Sequence, residues 1–292
     1  MRIALIFNTT RPDTTGMYLA RACRILGVSC DHWELRDADR VPAGYDLYLR
    51  VDHGDDYFVR LPDHLRPRAF YAIDTHLAHS WRKIRRVAGS FDAIFCAHRD
   101  AAKRLPDAEW LPVACDWELH GRRGNTAGSP TRDVAFVGND GGVPRKFYLQ
   151  ALRERYPQSL IGPAEHTQLA TIYSQARVGF NYSIADDVNM RIFEVLAAGS
   201  LLVTNALRHQ DLAALGLEDR QHLVLYHSPQ ELVDLIDHYL AHPEERQAIA
   251  AAGCALVKER HTYVHRLTQL LASVRERLGV GRAEETIACA SS

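Results

Sequence analysis

Three charged residues, Asp187, Arg191 and Glu194, lie at helical spacing in the second half of the chain. Because steps of four and three separate them, all three can share one face of a helix. A carboxylate at such a position can accept hydrogen bonds from a pair of hydroxyl groups, and a guanidinium can bridge two phosphoryl oxygens. The same spacing is typical of an exposed ladder of ion pairs, so spacing alone leaves both interpretations open.

The helix that carries these residues is predicted to span 188–198, with Asn189 suited to cap its start. Gly199 ends it, and the apolar strand 201–204 follows at once. A helix that returns directly into a strand belongs to a parallel sheet. Open α/β sheets bind their ligands at the carboxyl ends of their strands.

A glycine-rich loop offers a second candidate site, because Gly138, Asn139 and Gly141 follow a predicted strand, 133–138. Glycines let the backbone approach a phosphate, and the N-terminus of the next helix adds unpaired NH groups. Arg145 and Lys146 stand at that end, where the helix dipole disfavours cations and an anionic ligand would explain them. An ordinary turn with two solvated basic residues is the alternative, since the loop matches neither a Walker A motif nor a complete GxGxxG.

The composition excludes several classes of protein. At 292 residues, 47% hydrophobic and 24% charged, the chain has room for two globular α/β domains. A net charge of −1 gives no electrostatic reason to expect nucleic acid or an anionic membrane as partner. The six cysteines form no CxxC pair and the histidines no HExxH, so we expect no metal site, reduced thiols and a cytoplasmic protein. The apolar N-terminus becomes polar at Asn8, which is too soon for a membrane span.

Apolar β-rich runs alternate with helical patterns along the whole chain, which predicts parallel βα units in two doubly wound domains. The first domain is predicted to span 1–118 and the second 132–262, with an exposed linker at 119–131 between them. A final helix is expected at 263–280, followed by a disordered tail at 281–292.

The pattern Asp187-x-Asn189-x-Arg191-x-Phe193-Glu194-x-x-Ala197-x-Gly199 resembles the C-terminal domain of GT-B glycosyltransferases, closest to the bacterial group named after spore maturation protein CgeB. Similar matches follow at 226–232 and 239–246, and then at His261-Thr262-Tyr263 with Arg266. Together they cover most of 132–270, whereas residues 1–118 match only loosely.

The resemblance implies two Rossmann-like domains that face each other across a cleft, with the last helix crossing back to the first domain. It implies that Glu194 holds a ribose, and that Asp186, eight positions earlier, is a shorter version of an acid that contacts the donor sugar. Arg191 would bind the diphosphate and stabilise the leaving nucleotide. The full set expected to bind the donor is Asn139, Gly141, Arg145, Lys146, Gly162, Ser183, Asp186, Asn189, Arg191 and Glu194.

The first domain should supply the acceptor side, with Thr10, Thr15 and Gly16 in the loop after the first strand. Asp74 and His76 follow another strand and are candidates for the general base that an inverting transferase needs. A turn-forming Asp and a helix-capping Thr are equally open interpretations of these residues.

The expected activity is transfer of a sugar from a nucleotide-diphosphate sugar, of the UDP or GDP type, to an unidentified acceptor. The acceptor could be a glycan, a small molecule or a protein, and neither a metal nor another cofactor is expected. Two alternatives stay open: a catalytically silent protein that binds nucleotide sugars, and a sugar-nucleotide epimerase of the same fold.

Overall fold

The computed structural model describes residues 1–9, 12–52, 54, 57–122 and 130–280. The chain divides into two compact units. The first unit comprises Met1–Val113 and resumes at Tyr263, and the second is Ala114–Thr262. The predicted tail at 281–292, and most of the predicted linker, lie outside the described residues.

The first unit contains a parallel sheet of six strands. They are β1 (Arg2–Ile6), β2 (Ser29–Trp33), β3 (Leu47–Val51), β4 (Arg68–Ala72), β5 (Ala93–Cys96) and β6 (Ala108–Trp110). Their order is β2-β1-β3-β4-β5-β6, and the helices between them are α1 (Thr15–Ile25), α2 (Ala78–Ala88) and α3 (Arg99–Ala102). The strand order changes direction between β1 and β3, as in doubly wound folds.

The second unit repeats this plan with a parallel sheet of five strands in the order β11-β10-β9-β7-β8. Its elements are α4 (Trp117–His120), β7 (Arg132–Val137), α5 (Arg145–Arg155), β8 (Leu160–Gly162), α6 (Leu169–Ser174), β9 (Ala176–Asn181), α7 (Met190–Ala197), β10 (Leu201–Asn205), α8 (Asp211–Ala214), β11 (Val224–Tyr226), α9 (Pro229–Ala241) and α10 (Pro243–Arg260). The order changes direction between β7 and β9. This is the point at which such sheets bind ligands.

A final helix, α11 (Tyr263–Leu278), belongs to the first unit. It packs against α1, with the rings of Tyr18 and Tyr263 5.1 Å apart. Arg266, which is only 2% exposed, donates from Nε to the carbonyl oxygen of Pro112 at 2.8 Å. The first unit is therefore built from two separate stretches of the chain.

The core of the second unit brings α7 unusually close to the sheet. A Cβ atom added at Gly179 in β9 would lie 2.3 Å from a methyl carbon of Val195 in α7. Phe136, Val178, Phe180 and Val203 are fully buried in the sheet. Dense packing of this kind fixes where the side chains on the first turn of α7 are placed.

The start of the predicted linker differs from the expectation of an exposed segment. His120 is 1% exposed, because it ends α4 and its Nδ1 accepts a hydrogen bond from the backbone NH of Asp116 at 3.1 Å. Residues 114–118, assigned from the sequence to the first domain, belong to the second unit. The backbone NH of Cys115 donates to the carbonyl oxygen of His261 at 3.2 Å and so ties this segment to that unit.

Candidate functional site

Two arginines meet at the point in the second unit where the strand order changes direction. Arg145 is the first residue of α5, after β7, and Arg191 lies in the first turn of α7, after β9. Their guanidinium carbons lie 5.5 Å and 4.3 Å from the centroid of the Phe136 ring. The strands are parallel, so the glycine-rich loop and the start of α7 are brought to one edge of the sheet.

Arg145 folds back over the glycine-rich loop. Its Nε donates to the carbonyl oxygen of Asp140 at 2.9 Å and its Nη2 to that of Asn139 at 3.0 Å. Gly141, at φ +63°, leaves the room for this, since an added Cβ would lie 2.0 Å from Nη2. Burial, and then the nearby charge of Arg191, lower the pKa of Arg145. The site therefore holds a partly buried cation beside a second cation.

Arg191 is held at the carboxyl ends of the two central strands. Its Nε donates to the carbonyl oxygen of Val137 at 3.0 Å and its Nη1 to Oδ1 of Asn181 at 3.1 Å. Gly138 allows this approach, because an added Cβ there would lie 2.6 Å from Nη2. Within the described part of the chain, neither Asp187 nor Glu194 forms a salt bridge with Arg191.

Glu194 lies one turn further along α7 and is partly buried. Among the described residues, its carboxylate accepts no hydrogen bond. The buried hydroxyl of Tyr173 is within electrostatic reach of both Glu194 and Arg191, so the two groups lie near one atom. Burial is the main reason that the pKa of Tyr173 rises to about 12. An unengaged carboxylate beside a partly buried cation can accept hydroxyl groups from a ligand.

A polar network fixes the segment between β9 and α7. Oγ of the buried Ser183 donates a hydrogen bond to the carbonyl oxygen of Asp187 at 2.7 Å. The same oxygen accepts hydrogen bonds from Nδ2 of Asn189 at 2.8 Å and from Nδ2 of Asn181 at 3.3 Å. Asn205, at the end of β10, accepts the backbone NH of Ser183 at 2.7 Å. Ser183 was expected to contact the donor directly. In the free protein, its hydroxyl holds in place the backbone that leads to Arg191.

The predicted helix 188–198 begins later than expected, at Met190. The prediction that Asp187 shares its face is therefore wrong: Asp187 precedes the helix and is 9% exposed. Asn189 occupies the N-cap position, but its side chain does not cap the helix. It turns to Ser183, and its Oδ1 is buried without a hydrogen-bond partner among the described residues.

Asp186 is engaged by the loop after β10. Its Oδ1 accepts the backbone NH of Arg208 at 2.9 Å, and its Oδ2 lies 3.4 Å from Nε of the same residue. Its φ of +59° is uncommon outside glycine, although Asp tolerates it. Any contact between Asp186 and a donor sugar would have to share the carboxylate with Arg208.

The remaining predicted donor residues surround the two arginines. Gly162 ends β8, and its carbonyl oxygen accepts the backbone NH of Gly138 at 3.1 Å. Lys146 and the side chain of Asn139 are exposed at the same edge of the sheet. The exposed Ile184 lies against Gly141 and adds an apolar surface beside the loop.

Asp74 and His76 in the first unit form one short 3₁₀ turn after β4. Asp52 holds this turn, since its Oδ2 accepts the backbone NH groups of Ile73 and Asp74, both at 2.9 Å. Nδ1 of His76 is buried without a hydrogen-bond partner among the described residues. The ring of His98 lies 4.5 Å from that of His76.

The loop residues expected on the acceptor side are placed by packing. Thr15 is buried, and its Oγ1 lies 3.3 Å from the hydroxyl of Tyr263. Gly16 lets α1 approach β1, because an added Cβ would lie 2.6 Å from the Phe7 ring. Thr10 lies outside the described residues.

Sequence reasoning missed several residues that shape these sites. Asn205 could have been found, since it is a polar residue at the carboxyl end of a predicted strand. Asp52 is likewise a polar residue directly after a strand, β3. Tyr173 and Arg208 had no local signal, because their roles depend on tertiary contacts. Across the residues that the structure describes, no three His, Cys, Asp or Glu side chains cluster to hold a metal ion, and no helix is long and apolar enough to span a membrane.

Two guanidinium groups, a helix N-terminus and an unengaged carboxylate thus occupy one edge of the second sheet. Cations at such a point favour a phosphorylated ligand, and a carboxylate nearby favours hydroxyl groups on the same ligand. The arrangement could therefore hold a ligand that carries both phosphate and hydroxyl groups.

Known structures share this fold at low sequence identity. HepE from Anabaena, in complex with UDP and glucose, aligns with a TM-score of 0.68 at 11% identity, covering 94% of this chain and 100% of HepE. Sucrose-phosphate synthase from Thermosynechococcus elongatus aligns at 0.67 and 12% identity, covering 95% and 99%. The BGT protein of T4 phage, in complex with its substrate UDP-glucose, aligns at 0.57 and 11% identity, covering 95% and 99%. At such identities the likeness shows the fold alone, and this confirms the predicted GT-B architecture.

No curated protein shows significant sequence similarity to the chain. The model of the family described as "Glycosyl transferase-like" matches residues 118–272, just over half of the chain. The match includes the glycine-rich loop, both arginines and Glu194. The chain therefore belongs to the glycosyl transferase-like family.

Proposed function

We propose that the protein is a glycosyltransferase that takes a sugar from a UDP-sugar donor. The observation that carries this proposal is the convergence of Arg145 and Arg191 on Phe136, with the unengaged carboxylate of Glu194 close by. HepE and the T4 phage BGT protein, which share the fold, were solved with UDP or UDP-glucose, and this supports a uridine donor. Within the family, the pattern at 187–199 supports a place in the CgeB-like group.

Residues of the proposed donor site have two roles, which are to neutralise the charge of the donor and to orient it. Arg145 and Arg191 neutralise the diphosphate and stabilise charge on the departing UDP, so the mechanism needs no metal. Glu194 accepts the two ribose hydroxyls, and the backbone near Gly162 contacts the base. Lys146 is exposed and adds long-range attraction for the anionic donor.

The acceptor hydroxyl loses its proton to Asp74 or His76, which share one turn at the carboxyl end of β4. A glycan, a small molecule or a protein suits a chain whose net charge is −1 better than nucleic acid does. Each described cysteine has a free thiol, which suits a reducing compartment such as the cytoplasm.

Incubation with UDP-, GDP- and dTDP-sugars tests the proposal. We expect slow release of UDP from a UDP-sugar even without an acceptor, because water can attack a bound donor. Binding without turnover would identify a silent nucleotide-sugar binder, and a changed sugar still attached to UDP would identify an epimerase. Either result, or no binding of any nucleotide sugar, would overturn the assignment.

A further inference from the structure

A cavity of about 670 Å³ opens in the second unit at the sheet edge opposite the two donor-site arginines. Ala176 and Leu201, the first residues of β9 and β10, line it together with Gly199 after α7. Arg191 and Glu194 lie near the other ends of these elements. The cavity is therefore separate from the candidate donor site.

Four basic residues line this cavity: Arg122, Arg177, Arg246 and Lys258. No Asp or Glu is among the described residues that line it. Asp133, which does not line the cavity, neutralises the charge of Arg177, since its Oδ1 lies 2.5 Å from Nη1 of that residue. Three positive charges are left without a carboxylate in the cavity, and such charges repel one another.

Arg246 shows that the cavity is more than a solvated basic surface. Its side chain is 6% exposed and donates from Nη1 to the carbonyl oxygen of Tyr239 at 2.6 Å. It lies in the first turn of α10, where the helix dipole disfavours a cation. Arg122 is close to the C-terminus of α7, which attracts cations, but that attraction does not explain Arg246.

We infer that this cavity binds a small phosphorylated molecule, such as a sugar phosphate, as a second ligand. Guanidinium groups match the geometry of phosphate oxygens, and three uncompensated charges suit a phosphate dianion. The volume is in the range typical of sites for small molecules. Trp117 supplies a flat apolar wall, with Nζ of Lys258 5.4 Å from its ring centroid. A sugar ring can pack on that wall while its phosphate meets the arginines.

Isothermal titration calorimetry with glucose 6-phosphate tests this inference on the full chain. Arg122→Gln combined with Lys258→Gln removes two exposed charges and leaves the buried Arg246 in place. We expect at least about tenfold weaker binding, since each hydrogen bond to a charged group contributes about that factor. If glucose 6-phosphate does not bind the unmodified protein at millimolar concentration, the inference is wrong.

A matched pair of variants on α10 distinguishes binding in the cavity from a general effect of added negative charge. Ala255 lines the cavity, whereas Ala252 is exposed on the same helix and does not. Ala255→Glu should abolish binding and Ala252→Glu should leave it unchanged, with equal thermal stability. Equal binding by the two variants would contradict the inference. Loss of binding in Arg145→Gln would also contradict it, because the probe would then occupy the donor site.

Discussion

The guanidinium groups of Arg145 and Arg191 lie over the same aromatic ring, that of Phe136, at 5.5 Å and 4.3 Å from its centroid. Each arrives from a different βα connection, one at the start of α5 and the other at the start of α7. Two like charges this close repel each other in the free protein. A bound diphosphate removes that repulsion, and the site is consequently expected to be stabilised by its ligand.

Arg145→Gln should lower the affinity for UDP by about tenfold or more, because a charge-assisted hydrogen bond contributes about 1.5–3 kcal/mol. Calorimetric titration with UDP measures the effect. Arg153→Gln is the control, since Arg153 is an exposed arginine of the same helix that bonds the carbonyl oxygen of Ile161. Equal affinity in the two variants would remove Arg145 from the phosphate site.

Glu194→Ala should abolish the preference for a ribose. The unmodified protein is expected to bind UDP about tenfold more tightly than 2′-deoxy-UDP, because the carboxylate accepts the ribose hydroxyls. In the variant, the two nucleotides should bind equally. Glu154→Ala, an exposed glutamate of α5, should keep the preference. If Glu194→Ala still distinguishes the nucleotides, the carboxylate does not hold the ribose.

Ser183→Ala should lower the free energy of unfolding by about 2 kcal/mol, because it removes the acceptor of the partly buried Asn189 amide and one of the two acceptors of the buried Asn181 amide. Urea denaturation measures the change. Ser90→Ala, which removes an exposed hydroxyl bonded to the carbonyl oxygen of Val87, should cost much less. Equal costs would show that the network around Ser183 contributes little.

His98 should make the protein less stable in mild acid. Burial, reinforced by the nearby His76, lowers the pKa of His98 from 6.5 to about 3. Between those values the unfolded chain binds a proton that the folded protein does not, so stability falls as the pH drops below 6.5. Between pH 7 and pH 5, this residue should lower the free energy of unfolding by about 2 kcal/mol.

The comparison with His98→Gln isolates this effect from the other histidines. Urea denaturation at pH 7 and pH 5 should show a smaller loss of unfolding free energy in the variant, by about the same 2 kcal/mol. Equal losses of unfolding free energy between pH 7 and pH 5 in both proteins would mean that His98 is protonated in the folded state. NMR titration of the ring would then show a pKa near 6.5.

The alternation of strands and helices was predictable because each element carries its own apolar period and its own end signals. Helix α5 begins at Arg145, directly after the glycine-rich loop, and Oγ of Ser228 accepts the NH of Glu231 at 3.1 Å at the start of α9. The convergence of Arg145 and Arg191 followed from the rule that parallel strands present their carboxyl ends at one edge.

What the sequence did not reveal concerns side chains whose partners are distant in sequence. Asp186 is bound by Arg208 and Ser183 by Asn205, and neither pairing leaves a local pattern. Asn189 has the residue type and position of a helix cap, yet the buried hydroxyl of Ser183 competes successfully for its amide. Residues 114–118 join the second unit through the backbone of His261, which is far along the chain.

The return of α11 to the first unit has a consequence for the order of folding. Residues 114–262 are contiguous, so this unit has all its strands and helices before Tyr263 is synthesised. The earlier unit lacks the contact of Tyr263 with α1, and the hydrogen bond from Arg266 to Pro112, until these residues emerge from the ribosome. Since domains generally fold as units during synthesis, the half that is made first is expected to be completed last.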